Sequence, residues 1–233
     1  MLSSPVRRST SPGAALIQFD NVGMRYGPGP EILRDVSFRI AAGAFRFITG
    51  PSGAGKTSLL RLLYLAHRPS RGLITLFGRD VATMPRGELP GLRRRIGVVF
   101  QGVRLLDHLT VRENVLLPLL ISGMAGEEAL ARVEELLRWI GLGDRMDARP
   151  PTLAGGEQQR VAIARAVANA PLILLADEPT GNLDPATASY VFEALEALVR
   201  QSGLSALIAT HNHELAARMD RRVTLADGKI VDF

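Results

Sequence analysis

At one point the chain reads Gly50-Pro51-Ser52-Gly53-Ala54-Gly55-Lys56-Thr57, and these eight residues fit the pattern G-x-x-x-x-G-K-[ST] at every position. The apolar run 45–49 before them is typical of a buried strand, and the periodic run 58–66 after them predicts a helix. Glycines let the backbone turn tightly, so that successive N–H groups point at phosphate oxygens, and the helix adds its positive N-terminal end. Residues 50–57 and the adjoining Ser58 are therefore predicted to hold the phosphates of a nucleotide.

Two side chains of this loop carry chemistry. Lys56 is predicted to place its ammonium at the β- and γ-phosphates, and the hydroxyl of Thr57 is predicted to ligate Mg²⁺. The only other lysine is Lys229, so a lysine in the loop stands out in a chain whose basic residues are otherwise arginines. A chance lysine in a glycine-rich turn is the alternative, and the flanking strand and helix argue against it.

A pair of carboxylates, Asp177 and Glu178, follows the continuous apolar run 172–176. Such a run is typical of a buried parallel strand. An acid at the end of that strand can reach Mg²⁺, and a second acid beside it can polarise an attacking water. We therefore expect Asp177 to be a metal ligand and Glu178 to be a catalytic base, although two solvated loop acids would read the same way without the phosphate loop.

Further from the loop, strand and helix patterns alternate along most of the chain, and Asp184 followed by a proline reads as a helix N-cap. This alternation predicts an α/β fold of the P-loop NTPase type, with a mostly parallel core sheet and an antiparallel β subdomain at its edge. The predicted strands are 17–19, 36–40, 45–49, 74–77, 96–100, 172–176, 206–209, 223–225 and 230–231. The predicted helices are 58–66, 157–169 and 185–201.

The middle of the chain has a helical pattern, from about 105 to 140, and predicts a helical subdomain of about 102–157 inserted in the nucleotide-binding core. Residues 15–233, including this subdomain, are predicted to form a single domain. The preceding residues 1–14 are predicted to be a disordered tail, and they lack the apolar segment of a secretory signal. The apolar stripe of the helical subdomain is predicted to contain Leu130, Val133, Leu136, Leu137 and Ile140.

The amino-acid composition excludes some kinds of site and argues against some classes of protein. The chain has 233 residues, 46% of them hydrophobic, and no cysteine, which excludes disulfides and thiolate metal sites. No apolar run approaches the roughly 20 residues that span a membrane. The net charge is +5, but the arginines are scattered and the cluster 93–95 is too small for DNA binding alone. We expect contact with an acidic partner or anionic lipid rather than nucleic acid.

These motifs, taken in order from about 17 to 230, resemble those of the ATP-binding cassette (ABC) ATPases. The segment Leu153-Ala154-Gly155-Gly156-Glu157-Gln158-Gln159-Arg160 resembles the signature of that family, which few other P-loop proteins carry. Segment 175–180 resembles the Walker B motif, and 181–184 resembles the D-loop. Three single residues resemble the Q-loop glutamine, the switch histidine and the aromatic residue that stacks on adenine, namely Gln101, His211 and Tyr26.

The resemblance implies ATP and Mg²⁺ as ligands and a head-to-tail homodimer with two ATP molecules in its interface. Each ATP would lie between the phosphate loop of one subunit and the signature residues 154–157 of the other, near Asp184 of the D-loop. Glu178 would be the general base, and His211 would position the γ-phosphate and the water. Gln101 would contact Mg²⁺ and report the nucleotide state to the helical subdomain.

The chain departs from the family pattern at Ala154, where relatives usually have a serine whose hydroxyl would bond the opposing γ-phosphate. A hydrogen bond to a charged group contributes roughly 1.5–3 kcal/mol, so we expect a weaker ATP-bound dimer. Asn212 also stands where relatives usually have aspartate.

Within the family, segments 92–101 and 110–115 resemble most the cell-division ATPase FtsE. This would make the transmembrane protein FtsX the partner, at the cytoplasmic face of the bacterial inner membrane, with Leu105, Leu106 and Val111 as anchors for its helix. Those three residues could equally be core. A lipoprotein-releasing or macrolide-exporter ATPase is the alternative, and a nucleic-acid-linked P-loop ATPase is the alternative from another class.

Overall fold

A computed structural model of the protein describes residues 15–181, 183–211 and 222–232. The predicted tail, 1–14, and Asn212 lie outside the described residues. Within them, no helix is both long enough and apolar enough to cross a membrane.

The larger of two sheets has six strands in the order β10-β9-β3-β8-β7-β6. Neighbouring strands from β9 to β6 run parallel, and only the β9–β10 pair is antiparallel. This confirms the mostly parallel core sheet. The strands are β3 Phe45–Thr49, β6 Ile96–Val99, β7 Ile173–Asp177, β8 Ser205–Ala209, β9 Arg222–Ala226 and β10 Lys229–Asp232.

Both faces of this sheet are covered, and side chains of one strand alternate between two cores. Along β7, Ile173 and Leu175 pack into one hydrophobic cluster, whereas Leu174 and Ala176 pack into another. Successive side chains of a strand point to opposite faces, so a strand buried on both sides reads as a continuous apolar run. This is why segment 172–176 could be recognised as a central strand.

The smaller sheet is antiparallel, in the order β2-β1-β4-β5, which confirms the antiparallel β subdomain. The strand predicted at 17–19 extends over ten residues, because register shifts after Phe19 interrupt the alternation without ending the pairing. The two-residue strand β5 was not predicted. The strands are β1 Ala15–Met24, β2 Leu33–Ala41, β4 Arg71–Leu76 and β5 Arg79–Asp80.

The helices pack on the larger sheet. A third hydrophobic core forms within the segment of the chain that connects β6 to β7. α5 begins two residues before the predicted 157, because the two glycines expected to form a turn are its first residues. The short α2 was not predicted. The helices are α1 Lys56–Leu63, α2 Leu89–Arg93, α3 Val111–Ile121, α4 Glu127–Trp139, α5 Gly155–Val167 and α6 Pro185–Ser202.

The third core corrects the prediction for Leu130 and decides between the two alternatives for Val111. Val133 and Leu137 are fully buried as expected, but Leu130 is 38% exposed and Ala129 is buried in its place. Residues 129, 133 and 137 are four apart and lie on one face, so residue 130 falls on the flank of that face. Val111, which the sequence left open as a partner anchor or a core residue, is 0% exposed and belongs to this core.

Candidate active site

Four adjacent parallel strands bring the predicted site residues to one edge of the larger sheet. The phosphate loop (residues 50–57) follows β3, and Gln101 lies two residues after β6. Asp177 is the last residue of β7, and His211 lies two residues after β8. The carboxyl ends of adjacent parallel strands share an edge, which is where open α/β sheets bind ligands. Segments far apart in the chain thus meet at a single location.

The phosphate loop needs its glycines for conformation and for space. Gly50, Gly53 and Gly55 have φ values of 142°, 79° and 105°, which are costly for other residues. A Cβ on Gly50 would also lie 2.1 Å from the carbonyl oxygen of Leu225. Pro51 and Ser52 are exposed, whereas Ala54 is buried. The backbone therefore forms an open cradle fixed to β9.

Lys56 lies over this cradle. Its Nζ donates to the carbonyl oxygens of Gly50 and Pro51, at 2.8 and 3.1 Å. An ammonium has three donors, so one remains for another acceptor. The side chain is buried, and in the described part of the chain it forms no ion pair with a carboxylate. Lys56 also interacts electrostatically with the nearby Asp177. A buried cation that has a free donor and no carboxylate in direct contact favours an anion such as a phosphate.

Thr57 and Asp177 come together beside the loop, where the Thr57 hydroxyl interacts with the Asp177 carboxyl. Burial raises the pKa of the Asp177 carboxyl, and the Thr57 hydroxyl lowers it by a smaller amount. A buried carboxylate beside a hydroxyl offers the oxygen ligands that Mg²⁺ prefers, and the cation would compensate the burial. These two residues therefore fit a magnesium ion.

Glu178 and His211 are in direct contact. The Glu178 Oε2 accepts a hydrogen bond from the His211 backbone N–H at 3.2 Å and lies 2.9 Å from its Nδ1. Glu178 has a φ of 48°, and its own backbone N–H donates to Ala209 on β8. The turn after β7 is thus held in an uncommon conformation that aims the carboxylate at the histidine.

Tyr26 lies in the turn after β1, half-buried, with its hydroxyl 3.2 Å from Ser58 Oγ. This places the predicted adenine-stacking residue next to the start of α1.

Gln101 is exposed, and the loop after it is anchored by two residues that the sequence reasoning missed. Arg165 donates to the carbonyls of residues 103 and 104, and the buried Asn114 bonds the backbone of 106, 109 and 110. A polar residue inside the apolar pattern of α3 was the available signal for Asn114.

The signature residues lie against the start of α6 rather than against the phosphate loop. Ala154 is the N-cap of α5, and its backbone N–H donates to Glu157 Oε2 at 2.9 Å. An alanine side chain accepts nothing, so only half of a capping box forms. A Cβ on Gly156 would lie 2.4 Å from the methyl group of Thr187. One chain therefore does not bring the two glycine segments together.

Asp184, predicted to contact the nucleotide, caps α6 in this structure. Its Oδ1 accepts hydrogen bonds from the backbone N–H groups of Ala186 and Thr187, at 3.1 and 3.0 Å. Hydrogen bonds from Thr187 lower the pKa of the Asp184 carboxyl. The Asp184 carboxylate thus already accepts hydrogen bonds from the first turn of its own helix.

Comparison with known proteins gives consistent matches. The profile of the ABC transporter family matches residues 33–181. A lipoprotein-releasing system ATP-binding protein, LolD 2 of Rhodopseudomonas palustris, is 50% identical over 94% of this chain and 96% of its own length. LolD of Gluconobacter oxydans is 47% identical over 96% of this chain and 98% of its own length.

Solved structures agree with the fold. The dimeric ATP-binding cassette MJ0796, in a post-hydrolysis state bound to ADP and Pi, has a TM-score of 0.83 and 36% identity, and the match covers 92% of this chain and 96% of that one. The protein cbiO1 from Clostridium perfringens has a TM-score of 0.86 and 26% identity, with 93% and 87% covered.

The relatives named here do not support the predicted resemblance to FtsE with FtsX as its partner, and they agree better with the lipoprotein-releasing alternative. The coarser prediction is confirmed by the profile, the relatives and the fold. The chain belongs to the ABC transporter family, as an ATPase that binds and hydrolyses ATP.

Proposed function

We propose that the chain is the ATP-hydrolysing subunit of a lipoprotein-releasing type of ABC complex, which acts through a separate transmembrane partner at the cytoplasmic face of a bacterial inner membrane. The observation that supports this most is alignment over 87–96% of this chain, at 47–50% identity, with LolD proteins of Rhodopseudomonas palustris and Gluconobacter oxydans. A macrolide-exporter ATPase is the remaining alternative within the same subgroup.

ATP would bind with its phosphates along the loop 50–58. Backbone N–H groups and the α1 N-terminus contact the phosphate oxygens, and Lys56 offers its third donor to the β- and γ-phosphates. Thr57, Asp177 and Gln101 would hold Mg²⁺, whose charge offsets that of the phosphates. The ring of Tyr26 would stack on the adenine base.

Hydrolysis would depend on the contact between Glu178 and His211. Glu178 accepts a proton from the attacking water, so it must be aimed at the γ-phosphate before the reaction begins. The turn after β7 and the hydrogen bond from the His211 backbone hold it in place. The imidazole of His211, 2.9 Å from the carboxylate, orients the water and the γ-phosphate.

A second copy would complete the site. Ala154 and Gly155 are exposed at the N-terminus of α5, which is positively polarised. The acid of its first turn, Glu157, is directed back to the Ala154 backbone N–H. Residues 154–157 of one subunit would close over the γ-phosphate held by the other, with Asp184 nearby. The dimeric MJ0796 relatives, one of them bound to ADP and Pi, support this arrangement.

The partner would contact the surface beside Gln101. A cavity of about 330 Å³ lies there, lined by Tyr64, Ala66, Arg93, Ile96, Val98 and Phe100. Leu106 is 36% exposed and remains a candidate anchor, with the half-buried Leu105 behind it. An apolar helix of the partner that carries acidic residues would suit the cavity and its arginine.

The test is co-purification of the tagged chain from membranes, followed by mass spectrometry of the accompanying integral protein. We expect the membrane subunit of a lipoprotein-releasing system. Proteoliposomes containing both should release a lipidated lipoprotein when given MgATP, and those with the Glu178→Gln variant should not. A four-span division protein in place of that subunit would overturn the proposal and restore the cell-division interpretation.

A further inference from the structure

Arg61 lies outside the phosphate loop, on the same face of α1 as Ser58, and it is half-buried. Its guanidinium donates to the hydroxyl of Tyr26 at 3.0 Å. That hydroxyl is also 3.2 Å from Ser58 Oγ. The guanidinium also interacts more weakly with the side chain of Tyr64, one turn further along the chain.

These contacts determine where the Tyr26 ring lies. The residue sits in a turn, next to Gly27 with its φ of 56°, so its own backbone is not part of a sheet or helix. Both partners of its hydroxyl belong to α1, and the His67 ring, nearly perpendicular to it with the ring centroids 5.1 Å apart, limits its movement on another side. The position of the ring is therefore fixed relative to α1, the helix that begins with Lys56 and Thr57.

We propose that Arg61 is a positioning residue for nucleotide binding, which holds the Tyr26 ring at a set distance from the phosphate loop. The proposal rests on ATP binding at that loop and on the stacking role of Tyr26. The base of a nucleotide can stack on the ring while its phosphates lie in the phosphate loop only if the ring and the loop are the right distance apart. Holding the ring beforehand removes the entropy cost of ordering it when the nucleotide binds.

Arginine suits this task for a physical reason. Its guanidinium is planar, remains charged, and presents its donors in a fixed geometry. A hydrogen bond from a charged donor is stronger than one between neutral groups. The interaction with the Tyr26 hydroxyl raises the pKa of Arg61, as expected for a favourable contact with the charged form.

The experiment measures the dissociation constants of the full chain, with Mg²⁺, for ATP, GTP and inorganic tripolyphosphate. Stacking tolerates any base. Arg61→Ala should therefore weaken ATP and GTP about fivefold, the effect of one hydrogen bond, and leave tripolyphosphate unchanged. The KM for ATP should rise by a similar factor while kcat at saturating ATP stays the same. Arg61→Lys should restore part of the loss.

A double-mutant cycle adds a second readout. Tyr26→Phe keeps the ring but removes the hydroxyl, so Arg61→Ala should have little further effect in that background. Arg68→Ala is the matched control, because Arg68 follows the same helix but donates only to the carbonyls of residues 82 and 84. Its ATP affinity should equal that of the parent.

Each contrary result has its own meaning. An equal loss for tripolyphosphate would show that Arg61 supports α1 as a whole and would overturn the proposal. So would an Arg61→Ala variant with parental ATP affinity, or a Tyr26→Ala variant that binds ATP normally. Failure of the parent chain to bind any of the three ligands would instead contradict the assignment of the phosphate loop itself.

Discussion

The phosphate loop, residues 50–57, and the signature segment, residues 153–157, both carry glycines just before or at the start of a helix. In the loop, Gly50, Gly53 and Gly55 adopt positive φ and leave room for a ligand. In the signature segment, Gly156 is helical and lets α5 approach Thr187 of α6. The first set of glycines is required by backbone conformation, and the second is required by packing. The loop has its lysine in place within one chain, whereas Ala154 and Gly155 are exposed and carry no charged side chain.

The largest effect should come from Lys56→Ala, which removes the loop's only positive side chain. We expect kcat/KM for ATP to fall at least about 100-fold, because the ammonium acts on the charge of the transferred phosphoryl group. Lys229→Ala is the control, since Lys229 is the other lysine and is exposed on β10. Hydrolysis by Lys56→Ala at the parental rate would show that the loop is not the phosphate site.

The next largest effect concerns the carboxylate at the end of β7. Glu178→Gln should lower kcat at least about 100-fold by removing a proton acceptor, while ATP affinity stays within about twofold. Steady-state hydrolysis and equilibrium binding would separate the two. Glu134→Gln, which changes only an exposed ion pair with Arg138 on α4, is the matched variant and should hydrolyse ATP normally. Retained turnover in Glu178→Gln would assign the base to another group.

Gly156→Ala tests whether packing is the reason for that glycine. The added methyl would lie 2.4 Å from Thr187 Cγ2, so the free energy of unfolding should fall by about 1–3 kcal/mol in urea denaturation. Gly155→Ala is the control, because its nearest neighbour is a Leu183 methyl at 3.4 Å. Thr187→Ser removes the clashing methyl and should restore stability to Gly156→Ala. Equal stability of the two alanine variants would contradict the packing account.

The smallest effect is expected from Ala154→Ser. The new hydroxyl can accept from the Glu157 backbone N–H and complete the capping box, which should stabilise the folded chain by about 1 kcal/mol. In a Glu178→Gln background it should also tighten the ATP-bound dimer about tenfold. Denaturation without nucleotide measures the first effect, and the dimer dissociation constant with ATP measures the second.

Ala154→Asp separates these two effects. Aspartate caps a helix as well as serine does, so stability should rise, but its charge would repel the γ-phosphate of the opposing subunit and weaken the dimer. If both variants change the dimer in the same direction, the signature segment does not meet a phosphate there.

Burial on the helical subdomain shows where sequence reasoning reached its limit. The periodicity of α4 located its apolar face and assigned Leu130 to it, without Ala129. The structure buries the alanine and leaves the leucine 38% exposed. The sequence left Val111 open between an anchor and a core position, and packing against α4 and α5 places it in the core. Which of two neighbouring residues faces inward depends on the partner helix, which periodicity does not describe.

The sequence alone determined the family, the phosphate loop, the two carboxylates and most strands of the parallel sheet. Each of these depends on residues adjacent in the chain, where a glycine, a lysine or an apolar run constrains its own surroundings. Only the tertiary structure decided the strand order, the contact of Glu178 with His211, the approach of Thr57 to Asp177 and the hydrogen bond between Arg61 and Tyr26. Those contacts join residues that are distant in sequence, and they arise because helices and strands pack until buried polar groups find partners and apolar faces are covered.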